Sequence, residues 1–145
     1  MTKFYLPEGL ADPLKDGFGL GDEYWDAARD EKLVVQRCAE CRGWQWAPEC
    51  VCTRCYSDNL VFEQVRPAGT LYAFTRIWHP VEAGLSESLP YIVAVVQLDD
   101  VPAVQMIGNL LIDPVTEPTI GEACTAVFEH HADFTLVQWQ PTTGA

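Results

Sequence analysis

Cys38-Ala39-Glu40-Cys41 and Cys52-Thr53-Arg54-Cys55 stand ten residues apart in the chain and form two Cys-x-x-Cys pairs. Each pair can wrap a tight turn around one ion, and a tetrahedral Zn²⁺ accepts four thiolates at roughly 2.3 Å. This spacing is typical of a zinc ribbon, in which the metal stabilises a module too small to fold on hydrophobic burial alone. The sequence therefore predicts one structural zinc ion per chain, held by Cys38, Cys41, Cys52 and Cys55.

Three further points concern the cysteines. An iron site of rubredoxin type would use the same four ligands, so the spacing alone leaves that metal open. Cys50 could compete as a ligand, but Cys52 is preferred because it completes the symmetric pair. Cys124 lies in an apolar stretch, which predicts a buried core residue rather than a ligand.

The expected cellular location rests on the first nine residues and on the hydropathy of the chain. Residues 1–9 lack both a cationic start and an apolar core, so they do not predict a signal peptide. No apolar run reaches the roughly 18 residues that a transmembrane helix needs. We therefore expect a cytoplasmic protein with no membrane partner, and in the reducing cytosol paired cysteines hold metal more often than they form disulfides.

The charge is unevenly distributed over a chain whose net charge is −12. Residues 1–32 carry −4, residues 33–66 are neutral, and residues 67–145 carry −8 with Arg76 as their one Lys or Arg side chain. A nucleic-acid surface must neutralise several phosphates with Lys and Arg, which residues 67–145 cannot do. The charge therefore predicts a solvated acidic surface and no nucleic-acid partner.

Hydropathy divides the chain into three parts. Residues 1–32 read as an N-terminal arm with a short helix at 24–29, residues 33–66 as the zinc ribbon, and residues 67–145 as five strands forming a small barrel. The fold class is thus mainly β. In the first barrel strand, strict alternation would place Leu71, Ala73, Thr75 and Ile77 on one face and Tyr72, Phe74, Arg76 and Trp78 on the other.

No catalytic constellation is visible. His130 and His131 fall in a polar turn that predicts a solvated surface, and no nucleophile stands beside His79 in the sequence. The chain also lacks a Gly-rich phosphate loop and the common hydrolase and metalloprotease motifs. We predict no catalytic residue, and we expect the residues that face a partner or substrate channel to include aromatic side chains. These candidates are Trp25, Trp44, Trp46, Trp78 and His79.

Several motifs occur in an order that resembles a known family. They are Tyr24-Trp25, the two cysteine pairs with Pro48 between them, residues 69–75, residues 90–98, Gly108-Asn109 and Ile120-Gly121. Over residues 22–139 the chain resembles acyl-CoA-associated proteins that combine a rubredoxin-like zinc ribbon with an OB-fold. The resemblance implies a five-stranded OB-fold barrel after the ribbon, zinc ligation by the four cysteines, and no catalytic role for this chain.

The resemblance also implies a partner. Members of this family work with thiolase-superfamily proteins, including sterol-carrier-type thiolase-like aldolases that cleave steroid side chains, and some are fused to hydratases or lie beside them. The implied function is a non-catalytic accessory subunit of a hetero-oligomer acting on acyl-CoA thioesters, with an aldolase or thiolase as the catalytic subunit. Steroid side-chain degradation is one pathway that this would fit.

One departure bears on CoA binding. Where the family often has Pro-Pro-Arg before the second cysteine pair, this chain has Ala47-Pro48-Glu49. CoA phosphates favour Arg and Lys, and the barrel supplies only Arg76. We therefore expect the partner to hold most of the acyl-CoA substrate. The alternatives to an accessory subunit are a ribbon-and-barrel nucleic-acid-binding protein, supported by fold analogy alone, and a free-standing enzyme or electron carrier.

Overall fold

Strands dominate the computed structural model, which describes Phe4 and residues 18–142. Most of the predicted N-terminal arm lies outside these residues. The described chain starts its regular structure with helix α1, Asp22–Arg29. Asp22 and Glu23 in the first turn and Arg29 in the last turn suit the helix dipole. Ala28 is fully buried while Tyr24 and Trp25 are half-buried, as their helical spacing predicts.

Three antiparallel strands form the ribbon. They are β1 (Leu33–Cys38), β2 (Trp44–Gln45) and β3 (Leu60–Val65), in the order β2-β1-β3. The register pairs Cys38 with Leu60, so the first cysteine ends β1 beside the start of β3. The apolar side chains of β1 belong to the same buried cluster as the barrel core, which joins the two sheets through continuous packing.

Five further strands form a nearly closed barrel, which confirms the predicted fold class. These strands are β4 (Ala68–Ile77), β5 (Tyr91–Leu98), β6 (Gln105–Asn109), β7 (Ala123–His130) and β8 (Thr135–Pro141), in the order β6-β5-β4-β7-β8. An isolated parallel bridge between Leu110 and Trp139 links the two outer strands. Trp139 is fully buried, so the junction closes around a large aromatic side chain.

The alternation predicted for β4 is wrong beyond Leu71. A bulge lies between Leu71 and Ala73, where the pairing with β5 shifts by one residue. As a result Phe74 packs against the core while Thr75 is exposed. The extra residue at Tyr72 moves every later side chain of the strand to the opposite face.

A close approach between strands explains Gly69. A Cβ at this position would lie 2.4 Å from the backbone oxygen of Gln97 and 2.6 Å from a methyl carbon of Val96. No larger residue fits there without moving β5. Nearby, the backbone N–H and the guanidinium of Arg66 bind the Asp100 carboxylate at 2.9 and 2.8 Å, which fixes the end of the ribbon to the β5–β6 turn.

Two connections differ from the sequence prediction. The loop predicted at 79–89 contains a 3₁₀ helix, Ala83–Ser88. The strand predicted from Val101 is limited to Gln105–Asn109, because residues 101–104 form a turn that includes Pro102. Among the described residues, no helix has both the length and the apolar character needed to cross a membrane.

Candidate functional site

The four predicted cysteines come together at one end of the ribbon. Their sulfur atoms all lie within 4.8 Å of one another. Two of the closest approaches, Cys38 to Cys55 and Cys41 to Cys52, are 3.6 Å each. Four thiolates at roughly 2.3 Å from a tetrahedral zinc would stand about 3.8 Å apart. The cluster therefore has the size and the donor set of a structural zinc site, with room for one ion per chain.

Each cysteine pair forms a similar turn. The backbone N–H of Cys41 donates to the sulfur of Cys38 at 3.5 Å, and that of Arg54 donates to the sulfur of Cys52 at 3.4 Å. In both turns the residue after the second cysteine has a left-handed backbone, with φ of 61° at Arg42 and at Tyr56. This repeated geometry aims the two sulfur atoms of each pair at a common point.

Backbone donors favour the thiolate form of one ligand in each pair. Backbone N–H groups, first that of Cys41, lower the pKa of Cys38. The corresponding donors, first that of Cys55, lower the pKa of Cys52 to about 6. Zinc binds thiolates, so these N–H groups stabilise the form of the ligand that the metal requires.

Cys50 is not part of the cluster. Its side chain is exposed, and the group of metal-ligating residues within range contains Cys52 instead. The fourth cysteine of the cluster is thus Cys52, as the symmetric pair predicts, and its role as a ligand in place of Cys50 stays a prediction. Cys124 is fully buried in the barrel, and burial raises the pKa of its thiol to about 11, which fits the predicted core role.

Two buried glutamines position the second cysteine pair, and the sequence analysis missed them. Gln36 and Gln45 face each other across β1 and β2 and are 4% and 7% exposed. Gln45 donates to the Gln36 side-chain oxygen at 2.6 Å and to the backbone oxygen of Val51 at 3.2 Å, and it accepts the N–H of Thr53 at 3.0 Å. Gln36 bonds both the N–H and the C=O of Glu49. The glutamines thus tie residues 49–53, which lead into the pair, to the ribbon sheet.

Trp25 and Trp46 meet at a cavity between α1 and the ribbon. The cavity is about 290 Å³, and its lining residues are Leu20, Gly21, Tyr24, Trp25, Trp46, Ala47 and Pro48. The ring of Tyr24 lies 4.8 Å from that of Trp46 and 5.3 Å from that of Trp25. Burial raises the pKa of Tyr24 to about 12. Ala47, which stands where the family often has Pro, lines this apolar wall together with Pro48.

The other three candidates do not line this cavity. Trp44 packs against the core, and the guanidinium of Arg37 lies 4.4 Å above its ring. Arg37 in turn binds Glu63 at 2.8 Å and holds the pKa of that carboxyl below its usual range. Trp78 and His79 follow β4 on the barrel and are exposed. A role for the five residues at a partner or substrate surface stays a prediction.

Arg76 has a structural role in the barrel. Its guanidinium donates to the backbone oxygens of Pro114 and Thr116 at 2.7 and 2.9 Å, and it lies 3.3 Å from Glu117. These acceptors hold the β6–β7 connection. The one Lys or Arg of residues 67–145 is thus committed to the chain's own backbone, which leaves it poorly placed to bind a phosphate.

The predicted solvated turn at His130 and His131 is wrong for His131. Its side chain is 14% exposed, and its Nε2 lies 3.2 Å from Oε1 of Glu129, which is 1% exposed. Gln138 donates to the other Glu129 oxygen at 2.6 Å, and the His131 ring stacks on Phe134 at 4.6 Å. His130 does face solvent, with a side chain that is 47% exposed. Sequence alternation gives no sign of this buried pair, because burial along β7, which carries Glu129, does not alternate.

Comparison with known proteins places both parts of the chain in one group. The model of the ChsH2 rubredoxin-like zinc ribbon domain matches residues 25–61, and that of the ChsH2 C-terminal OB-fold domain matches residues 62–129. A protein of Thermomonospora curvata named probable enoyl-CoA hydratase alpha subunit is 28% identical over 88 residues. That alignment covers 61% of this chain but 26% of the relative, so the chain spans about a quarter of that protein's length.

Two solved structures share the fold. A chain of the Ltp2-ChsH2(DUF35) aldolase superposes with a TM-score of 0.79 at 23% identity, covering 91% of this chain and all of that one. A DUF35-family protein of unknown function from Sulfolobus solfataricus superposes with a TM-score of 0.57 at 12% identity, covering 84% of each chain. At these identities the superpositions establish a common fold.

Proposed function

Because the chain belongs to the ChsH2 family of rubredoxin-like zinc ribbon and OB-fold proteins, we propose that it is a non-catalytic accessory subunit of a thiolase-superfamily enzyme acting on acyl-CoA thioesters. The observation that carries this proposal is the match of both family domains, in order, over residues 25–129. A solved chain of the same fold is part of the Ltp2-ChsH2(DUF35) aldolase, whose name pairs Ltp2 with ChsH2. We extend that pairing to this chain.

The acyl-CoA substrate class has separate support. The Thermomonospora curvata relative is named for an enoyl-CoA hydratase, so related domains occur in proteins of acyl-CoA metabolism. Carbon–carbon bond cleavage by an aldolase is the partner reaction that we favour, and thioesters with a steroid side chain are among the substrates to be tested.

The charges of the barrel indicate which subunit binds the CoA moiety. CoA carries several phosphate charges that favour Arg and Lys. Arg76 donates instead to Pro114, Thr116 and Glu117. We propose that the partner holds the CoA moiety and carries the chemistry, while this chain stabilises the partner and contributes to the wall of the acyl channel. The apolar cavity of Trp25 and Trp46 is suited to such a wall because it carries no charged side chain.

The test is co-expression with candidate thiolase-like proteins from the same organism. We expect one complex on size-exclusion chromatography, about one zinc per copy of this chain, and cleavage or formation of an acyl-CoA by the complex but not by this chain. A folded, zinc-loaded chain that stays separate from every such candidate would overturn the proposal. Red protein with reversible one-electron reduction, purified from its own host, would favour the electron carrier instead.

A further inference from the structure

The outer face of β4, β5 and β6 carries no charged side chain. The strand registers align its residues in cross-strand rows. The face consists of Thr70, Ala73, Thr75, Ile77, Tyr91, Val93, Val95, Gln97, Gln105, Ile107 and Asn109. A surface of this size without an Asp, Glu, Lys or Arg is unexpected in a chain with a net charge of −12. We call it the β4–β6 face.

The β4–β6 face does not belong to the barrel core. The opposite side of β5, which includes Ile92, Ala94 and Val96, is fully buried. On the β4–β6 face, Ile107 is 71% exposed, and Val93 and Val95 on the neighbouring strand are half-buried. Helix α1 packs on β1, β7 and β8, so the chain's own helix covers another side of the barrel. An exposed isoleucine beside half-buried valines, on a face without charged side chains, indicates a surface that a partner covers.

Exposed acidic residues lie in the connections before and after β5, and Asp99 is placed beside the face by its 3.5 Å contact with Thr70. We call these residues the acidic border. Asp99 follows the strand and is exposed, and Glu82 and Glu87 precede it and are also exposed. Asp100 is paired with Arg66 and is therefore left out of this border. A complementary surface would have an apolar centre with Lys or Arg at its edge, because like charges at an interface rim oppose association.

The charges also discriminate between classes of partner. The outer face of the second and third strands is where OB-folds bind oligonucleotides, and here those strands are β5 and β6. Phosphates require cations, and this face has none. A second copy of the chain would bring the same acidic border and another −12 of charge. Both considerations favour a different protein.

We infer that the β4–β6 face is the surface on which the catalytic partner docks, through an apolar patch edged by basic residues. The identity of the partner rests on the proposed function. The position of the interface rests on the charge-free rows and the acidic border of this chain. Ile107 is the most exposed apolar residue of the face, so it is the side chain whose burial the partner would change most.

Lysine substitutions at two residues of nearly equal exposure test the inference. Ile107 is 71% exposed and Val115, in the β6–β7 connection, is 72% exposed. Ile107→Lys should weaken the complex with the co-purified thiolase-like subunit by at least tenfold in Kd, while Val115→Lys should change it less than threefold. Zinc content and the melting temperature of each variant show that the fold is retained.

Hydroxyl-radical footprinting of the wild-type complex gives a second measurement that needs no variant. Oxidation of Ile107 should fall several-fold on complex formation, while that of Ile120, which is 56% exposed and lies before β7, should not change. A complex that forms with Ile107 unprotected, and that Ile107→Lys leaves intact, would overturn this inference and leave the proposed function standing. No complex at all would overturn both. Self-association of the chain that Ile107→Lys abolishes would assign the face to a second copy and also overturn the inference.

Discussion

Replacing Gln45 with Leu should loosen the zinc site without touching a ligand. The Gln45 side chain makes four hydrogen bonds, to Gln36, Val51 and twice to Thr53, at 2.6 to 3.3 Å. Val51 and Thr53 are exposed residues, so water can replace part of the hydrogen bonding that they lose with the Gln45 amide. We therefore assign each bond about 0.5–1 kcal/mol, a total of about 2–4 kcal/mol. Leu has a similar volume, and its burial returns about 1 kcal/mol, which leaves a net loss of about 2 kcal/mol.

This loss should appear at the metal, because the glutamine network holds residues 49–53 against the sheet. If the whole amount opposes zinc binding, about 2 kcal/mol corresponds to roughly a 30-fold weaker affinity. The assay is competition for zinc with a chromogenic chelator, followed at fixed pH, together with thermal unfolding of the zinc-loaded protein. We expect faster zinc transfer and a lower melting temperature in Gln45→Leu.

Gln64→Leu is the matched control. Gln64 lies on β3 of the same sheet, opposite Val34, and its side chain is exposed. Substitution there should change stability by less than about 0.5 kcal/mol. Zinc transfer from Gln45→Leu at the wild-type rate, or an equal acceleration in Gln64→Leu, would show that the buried amides do not position the second cysteine pair.

Three further predictions concern the metal, the barrel and the helix. Cys52→Ser should reduce zinc to well below one ion per chain, whereas Cys50→Ser should retain it, as measured by metal analysis after dialysis; the reverse result would make Cys50 the ligand. Gly69→Ala should cost about 2 kcal/mol through overpacking against β5 and lower Tm by roughly 4–8 °C in a calorimetric scan, and an unchanged Tm would contradict the close approach. The pKa of Tyr24 is raised from 10.0 to about 12, so the folded state keeps its proton longer than the unfolded state does. The free energy of unfolding should therefore fall between pH 10 and 12, by up to about 1.4 kcal/mol per pH unit. In denaturant titrations over the same pH range, the free energy of unfolding of Tyr24→Phe should fall less than that of the wild type.

Local patterns in the sequence were sufficient to predict the cysteine cluster and the barrel strands. The spacing of Cys38, Cys41, Cys52 and Cys55 predicted the four-sulfur cluster, because each Cys-x-x-Cys pair forms its turn from residues adjacent in the chain. The five barrel strands were predicted for the same reason, since apolar periodicity is a local property. The boundaries predicted at residues 32/33 and 66/67 stay predictions.

Features that depend on pairing between strands were not accessible in this way. The bulge after Leu71 is a local shift in the β4–β5 register, which alternation within one strand cannot reveal. The sequence also could not determine whether the five candidate residues for a partner or substrate surface lie at one site. The structure brings Trp25 and Trp46 to one cavity, whereas Trp44 is not among the residues that line it.

The sequence by itself determined which residues could hold a metal and which segments form strands, because both depend on neighbours along the chain. Only the tertiary structure decided what surrounds them. Gln45 reaches Thr53, and Glu129 reaches Gln138, through contacts set by strand register and not by sequence spacing. Burial of a polar side chain is favourable where a distant partner completes its hydrogen bonds, as Thr53 does for Gln45, and the position of that partner exists only in the folded chain.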